Sequence, residues 1–498
     1  MSLIRRIVLS SLIAAGLAGL AAAQQPVVVM QSADASTLDP TMNRETSTFN
    51  AVINVFDALI HKEADGSYTP ALATDWRAES DTVWTFDLRE DVTFHDGTSF
   101  GPEDVVFTIQ RILDEETESP IAGGFDFIES VEATGDHGVR ITTTAPTPLA
   151  EHYLSELMIV PSDTFQEMGE DAFAEAPVGT GPFEVENWRR DVELRMRAFE
   201  HYWRGAPDIE ELVFRPVPEA TTRFASLSAG EADLINQVPP NLAESVASTR
   251  NASLEAVDGA RVIYVGINTV SANPALQDPR VRRALNLAVD VGGIIEGIFG
   301  GRATPTTAML TELDFGFNPE LEPYGHDPEA ARELLAEAGA SDLPLTLEAP
   351  NGRYVNDVQV AQAVAEQLQQ AGVDVTLDVR EYGAYVGDLF SGAAPDLYLI
   401  GWGNAPQDAD FVYYSLLYTD ELLSYFSDET LDRALDRGRS TVDREARLEA
   451  YRTATERIHE LAPVIELYKP QDLYGVSDRL DWTPRTDERI WLYAAELD

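Results

Sequence analysis

The sequence predicts an α/β protein of about three domains, with a mostly parallel sheet in its C-terminal half. Three observations lead to this fold class. The chain has 498 residues, more than a single core organises at roughly 150 residues per domain. Hydrophobic residues make up 44% of it, enough to build such cores. Between residues 345 and 401, short apolar strands alternate with amphipathic helices, which is the order that gives parallel strands joined by right-handed crossovers.

The first 23 residues have the features of a secretory signal peptide. They contain no acidic side chain, carry Arg5 and Arg6, and then run apolar from residue 7 to residue 20 before three alanines. We expect cleavage before Gln24, because the apolar run is short for a membrane span and ends at small residues. Cysteine is absent from the sequence, which excludes a lipidated cysteine anchor, disulfides and thiolate metal sites. The mature protein is therefore expected to be free in the periplasm.

The charge balance is strongly acidic. Asp and Glu number 85 against 35 Lys and Arg, which gives a formal net charge of −50 at pH 7. Such a surface repels nucleic acid and anionic membranes, so neither is an expected partner. Only Lys62 and Lys469 are lysines. Dense carboxylates with little lysine suit a protein kept soluble in high salt, and genome-wide composition bias explains the same numbers equally well.

The N-terminal third is predicted to contain strands, turns and helices. Residues 27–30 form a β-branched run, and helical apolar spacing covers residues 50–60. Residues 84–88 alternate between apolar and polar, as a strand buried on one face does. The loop before residue 50 makes Ser47 a candidate ligand contact, with capping of the following helix as the alternative.

The C-terminal half begins with well-capped helices. Asp278, Asp290 and Asp327 each precede a helical apolar pattern and fit the N-cap position. The β-α-β-α-β order that follows consists of a strand at 345–347, a helix at 358–371, a strand at 373–379, a short helix at 382–390 and a strand opening at Leu397. Helices near 429–437 and 444–461 and a strand at 464–468 complete the pattern.

Residues 396–411 carry the functional interpretation. An apolar strand ends at Gly401, and the glycines, Asn404 and a proline that follow prevent its extension. Trp402, Asp408 and Asp410 are therefore expected on a loop at the carboxyl end of the strand. Ligands bind at such ends in open α/β sheets, so this loop is a candidate binding site. The alternative is a buried tryptophan beside an Asp-rich turn.

A second loop is predicted on the same edge of the sheet, where Arg353 and Tyr354 follow the strand at 345–347. In the resulting cleft, Trp402 offers a flat stacking face and either nearby aspartate offers a negative pole for a cationic group. Arg353 offers a fork for a carboxylate, with Tyr354 beside it. An apolar cleft with a few polar groups suits the binding of a small solute. The candidate ligand-binding residues are Ser47, Arg353, Tyr354, Trp402, Asn404, Asp408 and Asp410.

No catalytic or cofactor site is predicted. A hydrolase using Asp408 and Asp410 is disfavoured, because alternate residues of an extended segment point to opposite sides. His95 beside Asp96 is better explained as a turn, since Asp-Gly is a strong hairpin signal. The chain lacks His-Glu-x-x-His, Gly-x-Ser-x-Gly and a phosphate-binding loop, and its seven histidines are scattered. We therefore expect no cofactor, no bound metal and no enzymatic activity.

A series of ordered motifs runs through essentially the whole mature chain. They are Leu72-Ala73-Thr74-Asp75-Trp76, Trp84-Thr85-Phe86-Asp87-Leu88-Arg89, Val92-Thr93-Phe94-His95-Asp96-Gly97, Glu103-Asp104-Val105-Val106-Phe107, Val178-Gly179-Thr180-Gly181-Pro182-Phe183, Val281-Arg282-Arg283-Ala284-Leu285, Asp327-Pro328-Glu329-Ala330-Ala331 and Gly401-Trp402. In this order they resemble the bacterial extracellular solute-binding proteins of family 5, which are the peptide, dipeptide and nickel receptors of ABC importers.

The resemblance implies a periplasmic-binding-protein-like two-lobed α/β fold with an extra domain. Lobe I would comprise residues 24–58, 178–268 and 472–498, the extra domain residues 59–177, and lobe III residues 269–471. Ligand would lie between lobes that close about a hinge near Ile267 and Tyr468. The implied partners are the permease subunits of an importer with their ATPases, and the receptor is expected to be a monomer.

The resemblance favours a short peptide as the ligand. In the family's dipeptide receptors, an Asp three residues after the tryptophan pairs with the α-amino group of the peptide, and this chain has Ala405 there. Either Asp408 or Asp410 takes that role, or the ligand has no free amine at that point. An opine-type conjugate, a glutathione-like peptide and a metal chelate are the alternative ligands, and a sensory receptor is the alternative function.

Overall fold

The computed structural model describes residues 25–43 and 45–497, and the predicted signal peptide at 1–23 lies outside them. Within these ranges no helix is both long and apolar enough to cross a bilayer. The strands are β1 Val27–Gln31, β2 Ile60–Lys62, β3 Tyr68–Pro70, β4 Ala73–Ser80, β5 Val83–Leu88, β6 Ile128–Ala133, β7 Gly138–Thr143, β8 Phe183–Arg189, β9 Glu193–Ala198, β10 Glu211–Pro216, β11 Leu234–Ile235, β12 Ala252–Asp258, β13 Arg261–Ile267, β14 Ala303–Pro305, β15 Leu343–Asn351, β16 Val373–Glu381, β17 Leu397–Gly403, β18 Val464–Ser477, β19 Leu480–Asp481 and β20 Glu496–Leu497.

The α-helices lie between and around these strands. They are α1 Thr46–Val52, α2 Pro102–Leu113, α3 Ala150–Glu156, α4 Ser162–Met168, α5 Glu170–Glu175, α6 Ala220–Ala229, α7 Pro240–Ala247, α8 Pro279–Ala288, α9 Val291–Phe299, α10 Pro328–Glu337, α11 Asp357–Gln370, α12 Tyr382–Phe390, α13 Ala409–Leu417, α14 Glu429–Arg439 and α15 Arg444–Leu461.

The predicted alternation in the C-terminal half is confirmed, since β15, α11, β16, α12 and β17 follow one another. β15 pairs in parallel with both β16 and β17, so the loops after β15 and β17 leave the same edge of the sheet. β13 lies between β17 and β18 and runs antiparallel to both. The sheet is therefore mixed rather than mostly parallel, because β13 and β18 enter it from outside the β-α-β unit.

Local capping chemistry explains where several helices begin. Asp278, Asp290 and Asp327 occupy the N-cap positions of α8, α9 and α10, as the sequence predicts. Their carboxylates accept backbone N–H bonds of 2.8 to 2.9 Å from the first turns of these helices. A cap of this kind contributes about 1 kcal/mol to stability.

His95 has the structural role that the sequence predicts. Its Nε2 donates to the carbonyl of Gly181 at 2.9 Å, while the N–H of Gly179 donates to its Nδ1 at 3.2 Å. Burial lowers the pKa of His95 to about 4, so the ring is neutral at physiological pH. A Cβ at Gly181 would lie 2.5 Å from the backbone of Val55. The glycine turn at 177–183 therefore packs directly against the backbone of Val55, which leaves no room for a side chain at position 181.

Apolar side chains form cores in three parts of the molecule. The first core draws its members from within residues 27–56, 158–257 and 473–497. The second core comes from within residues 59–159 and covers the four-stranded sheet β4-β5-β7-β6. The third core, from within residues 262–468, covers both faces of β13 and β17. Phe165 and Phe173 belong to the first core, so α4 and α5 pack there rather than on the second core.

The first and third cores are connected where β18 crosses the junction of β12 and β13. Residues 471–477 of β18 pair with β12, and residues 464–468 pair with β13. Close approach of the two connections requires glycine, since a Cβ at Gly259 would lie 2.7 Å from the carbonyl oxygen of Pro470. The crossing therefore adjoins Tyr468 and lies at the opposite end of β13 from Ile267, the two residues near which the resemblance implies a hinge. The reason is that β13 is already packed inside the third core.

Candidate binding cavity

A cavity of about 360 Å³, here called the main cavity, lies where the three cores meet. The segments that line it are distant in sequence, because the loop after β17 meets the start of α1, the helix α3 and the C-terminal segment at 486–489. Its wall includes Glu45, Phe49 and Arg489 beside the first core, His152, Tyr153 and Glu156 on α3, and Trp402, Ala405 and Phe411 beside the third core. The structure thus surrounds a small volume with elements from all three parts of the molecule.

Trp402 lies in the wall of the main cavity and is half-buried. It belongs to β17, which stays paired through Gly403, so the prediction that the strand ends at Gly401 and that Trp402 lies on the loop after it is wrong. Its indole N–H donates to the carbonyl oxygen of Phe411 at 3.3 Å, and the two ring centroids are 6.2 Å apart. The ring of Phe411 also meets His152 edge-on at 5.9 Å. The aromatic rings therefore form one wall on which an apolar or flat ligand group can rest.

Buried polar contacts hold the loop between β17 and α13, residues 404–408, in place; it is here called the Trp402 loop because it directly follows that strand end. The Asn404 side chain is fully buried, and its Nδ2 donates to Asp314 Oδ1 at 2.8 Å while its Oδ1 accepts the N–H of Asp408 at 3.2 Å. Lys469 of β18 donates to both oxygens of Asp314 at 2.6 and 2.7 Å. Asn404 lines the main cavity, but both ends of its side-chain amide are already hydrogen-bonded to Asp314 and Asp408. The loop is therefore tied to the strand that crosses between the cores.

Asp408 and Asp410 do not line the main cavity. Asp408 is the N-cap of α13, and its two carboxylate oxygens accept bonds of 2.7 Å from Arg447. Asp410 accepts a bond of 2.7 Å from the hydroxyl of Tyr451. Burial raises the pKa of Asp408, and the charge of Arg447 opposes that rise. The second oxygen of Asp410 lies 3.4 Å from Arg439. Both carboxylates hold the start of α13, because their oxygens are used by partners on α14 and α15.

The other predicted site residues lie in different places. Arg353 and Tyr354 line a neighbouring cavity of about 210 Å³, here called the side cavity. The Tyr354 hydroxyl donates to the carbonyl oxygen of Gly401 at 3.2 Å, so the two predicted loops do meet at one sheet edge. Ser47 lies in α1, where its hydroxyl donates to the carbonyl oxygen of Asp34 at 3.2 Å, and it lines neither cavity.

Arginines neutralise most of the carboxylates in the main cavity. Ion pairs join Glu156 to Arg489, Asp487 to Arg485 at 2.7 Å, and Glu488 to Arg261 at 3.0 Å. Burial raises the pKa of Asp487, but the hydrogen bonds and charge of Arg485 outweigh it and bring the pKa to about 2. Glu45 differs, because it is exposed and has no ion-pair partner among the residues that the structure describes. It is the carboxylate most open to a ligand.

Lys62 takes a position that the sequence did not suggest. From β2 its ammonium donates to the carbonyl oxygen of Ala405, on the loop that follows β17. Burial lowers the pKa of Lys62, and the negative charges of Asp487 and Glu156 oppose that change. A positive charge therefore lies beside the residue where the family resemblance implies an aspartate.

His152, Glu45 and Arg489 were missed as candidates by sequence reasoning. They come from a helix, a short loop and the C-terminal segment, and no local pattern connects them. The only signal was a charged run, Thr486-Asp487-Glu488-Arg489, in an otherwise irregular tail. A charged run is typical of a solvated surface, so it does not by itself indicate a cavity wall.

His152 is expected to make stability depend on pH below neutrality. Its side chain is 2% exposed and burial lowers its pKa to about 4. Stability from a neutral buried imidazole is present above the unfolded pKa of about 6.5 and is lost as pH falls toward 4, because the unfolded state then binds the proton. At about 1.4 kcal/mol per unit, the loss reaches about 3 kcal/mol.

Urea unfolding between pH 4 and pH 7 tests this expectation. The wild-type protein should lose more stability over this range than His152→Gln, which cannot take up the proton. Identical pH profiles for the two proteins would contradict a neutral, buried His152.

Comparison with known proteins places this architecture in a family. Residues 67–422 match the model of the bacterial extracellular solute-binding proteins, family 5 middle region. A probable di/tripeptide-binding protein 5 of Pseudomonas aeruginosa is 28% identical over 489 residues, which covers 89% of this chain and 92% of that protein. The match to this relative extends beyond residues 67–422 into both terminal parts of the chain.

Solved structures share the fold. The periplasmic binding protein DppA of Helicobacter pylori, in complex with the peptide STSA, superposes with a TM-score of 0.83 at 26% identity and covers 95% of this chain and 98% of that one. The binding protein AgaA of A. tumefaciens R10, in complex with agropinic acid, gives a TM-score of 0.83 at 27% identity with the same coverage. The predicted two-lobed α/β fold is thereby confirmed. The family match also confirms the prediction that the protein is a solute-binding receptor rather than an enzyme. The chain belongs to the bacterial extracellular solute-binding proteins of family 5.

Proposed function

We propose that this protein captures a peptide of two or three residues in the main cavity and presents it to the permease of an ABC importer. The observation that carries the proposal is the main cavity itself, which has about 360 Å³ and an aromatic wall around Trp402. Small-ligand sites commonly have about 300–1,000 Å³, so this volume lies at the lower end of that range. A relative at 28% identity is named for di- and tripeptides, which supports the same size class.

Glu45 is the proposed partner of the peptide's α-amino group. Its carboxylate lies in the wall of the main cavity and is exposed. The other carboxylates of the wall are already paired with arginine. Asp408 and Asp410, the sequence-based candidates, face Arg447 and Tyr451 instead. A charge-assisted bond from an ammonium to Glu45 therefore needs no existing ion pair to break.

Capture is proposed to work by closure of two lobes, one built on the first core and one on the third, with the second core as the extra domain. The crossing at Gly259 and Pro470 provides the hinge, because only two chain segments connect the first and third cores there. Lys62, on β2 of the extra domain, contacts Ala405 beside the main cavity, so a motion that separates the extra domain from the third core would break this contact. A ligand shifts such an equilibrium only by its preference for the closed state. We further propose an exported monomer, released from the signal peptide into the periplasm.

A ligand without a free amine, such as an opine-type conjugate, is the second candidate. Lys62 favours it, because an ammonium lies beside Ala405 where a carboxylate would be needed to bind an amine. A solved relative at 27% identity holds agropinic acid. The two candidates differ in one chemical group, so a comparison of free and N-acetylated peptides separates them.

Glu45→Gln is expected to weaken the binding of free di- and tripeptides by about 10- to 100-fold. A hydrogen bond to a charged group contributes about 1.5–3 kcal/mol, which corresponds to this range. Native mass spectrometry of the purified protein first shows whether a ligand co-purifies. Calorimetric titration with free and N-acetylated Ala-Ala-Ala then measures the affinity of the wild type and of Glu45→Gln. The N-acetylated peptide should bind equally to both proteins.

The matched control is Glu115→Gln, an exposed glutamate outside the main cavity. It should leave the affinity for free peptide unchanged. Equal affinity of Glu45→Gln and wild type for the free peptide would exclude the role of Glu45. If no peptide binds or stabilises the wild type, the ligand is not a peptide.

A further inference from the structure

The cleft between the first and third cores contains two cavities that share only part of their walls. The side cavity of about 210 Å³ lies between the segment at 237–240 and the loop at 352–356, and no residue of the second core lines it. Arg261 and Glu488 line both the main cavity and the side cavity. The Arg261–Glu488 ion pair is therefore part of the wall between the two cavities.

The Arg261 and Glu488 side chains are joined by two short contacts and are shielded from water. Arg261 Nη2 lies 3.0 Å from Glu488 Oε1, and Arg261 Nε donates to the same oxygen at 3.1 Å. The two side chains are 17% and 19% exposed, so the pair is largely shielded from water. Arg261 begins β13 and stands opposite Gly403 in the β13–β17 ladder, directly beside Trp402. The pair thus lies next to the proposed stacking face.

The backbone around Glu488 is fixed in an unusual conformation. Glu488 has a φ of +61°, which is uncommon for a residue with a side chain. The turn is held by Arg485, whose guanidinium bonds to Asp487 at 2.7 and 3.0 Å, and by the N–H of Glu488, which donates to the carbonyl oxygen of Arg485 at 3.2 Å. Strain of this kind persists only where surrounding contacts enforce it, so Glu488 is held toward Arg261 rather than free to swing away.

The side cavity is suited to the continuation of a peptide chain. Its walls include the apolar side chains Val238, Ile263, Phe299 and Tyr468. Arg353 also lines it, and within the described part of the chain its guanidinium has no salt bridge and lies 5.2 Å from the ring centroid of Tyr354. An apolar space with an unpaired guanidinium could accept a side chain and the terminal carboxylate of a longer peptide.

We propose that the Arg261–Glu488 ion pair sets the length of the ligand by closing the main cavity off from the side cavity. Its two side chains come from opposite sides of the cleft, and they meet where the two cavities adjoin, since both residues line both spaces. The pair therefore acts as a specificity-determining element. This inference rests on the proposed function, because it names peptide length as the selected property.

Glu488→Ala tests the partition with alanine peptides of two to six residues. The wild type should lose about tenfold or more in affinity between three and four residues, because a pocket that lacks room rejects one added group by at least about that factor. Glu488→Ala should bind the four- and five-residue peptides at least as tightly as the tripeptide. In this variant, a C-terminal amide should weaken the binding of the longer peptides, because it removes the charge that Arg353 would pair with. Arg261→Ala provides a second variant if the first does not fold.

Glu348→Ala is the matched control, since Glu348 is 18% exposed and pairs with Arg380 at 2.8 Å outside both cavities. It should keep the wild-type length limit. If Glu488→Ala and Arg261→Ala keep the same limit as the wild type, the partition is excluded while peptide binding stands. If the wild type binds four to six residues as well as three, the partition is likewise excluded. If no alanine peptide binds any of these proteins, the proposed function itself fails.

Discussion

Trp402→Ala is expected to remove most of the thermal stabilisation that the proposed peptide ligands give to the wild-type protein. The indole forms part of the aromatic wall of the main cavity, and its N–H bond to the carbonyl oxygen of Phe411 fixes the ring at the end of β17. Aromatic residues at the centre of a binding site commonly contribute about 2–4 kcal/mol, which lowers affinity by about 30- to 1,000-fold when they are truncated. Thermal shift at increasing peptide concentration measures the effect, since stabilisation grows with the ratio of ligand concentration to Kd.

The control for this experiment is Trp188→Ala. Trp188 is also half-buried, but it lies on β8 beside Asp34 and does not line the main cavity. It should keep the full peptide-induced shift even if its own unfolding temperature falls. A shift that survives in Trp402→Ala would mean that peptides bind elsewhere in the molecule.

Asp314→Ala is expected to destabilise the protein by about 3–5 kcal/mol, the cost of leaving a buried charge without its partner. The Asp314 side chain is fully buried and receives both Lys469 and the amide of Asn404. Its removal therefore breaks the support of the Trp402 loop and the tie to β18 together. Burial already lowers the pKa of Lys469, so the unpaired lysine would lose its proton more readily.

Two further variants identify the cause of that loss. Adding Lys469→Met to Asp314→Ala should recover much of the stability, because no lone buried charge then remains. Arg77→Ala removes an exposed ion pair, with the nearest atoms of Arg77 and Asp87 3.3 Å apart, and should cost less than about 1 kcal/mol. Urea unfolding of the ligand-free proteins provides the comparison. A loss below about 1 kcal/mol in Asp314→Ala would contradict a stabilising role for the buried pair.

The elements that the sequence predicted well are those specified by neighbouring residues. N-caps such as Asp278 and Asp327 act within one helical turn, so their effect is visible in a few consecutive letters. The β-α-β order follows from apolar periodicity in the same way, and the structure confirms it. Glycine punctuation was less reliable, because β17 continues past Gly401 to Gly403, and the helix predicted at 50–60 is instead α1 Thr46–Val52.

The candidate site was predicted less completely because it depends on partners far apart in sequence. Asp408 sits near Trp402, but its oxygens bind Arg447, which is 39 positions further along the chain. Glu45 and Arg489 line the same cavity although they come from opposite ends of the sequence. Acidic residues on a loop look alike in a sequence whether they face a ligand or an arginine. Only the fold determines which of them is already neutralised.

Because the chain has only two lysines, an amine-selective reagent can be used to follow each of them. Lys62 donates to the carbonyl oxygen of Ala405 and Lys469 is bound by Asp314, so both ε-amines are occupied in this structure. An amine-selective acylating reagent would therefore meet few reactive side chains, and the rate at which it modifies Lys62 would report how often Lys62 separates from Ala405. Peptide mapping after timed acylation would measure the modification rate of Lys62 with and without ligand, and so show whether ligand slows the opening of this contact.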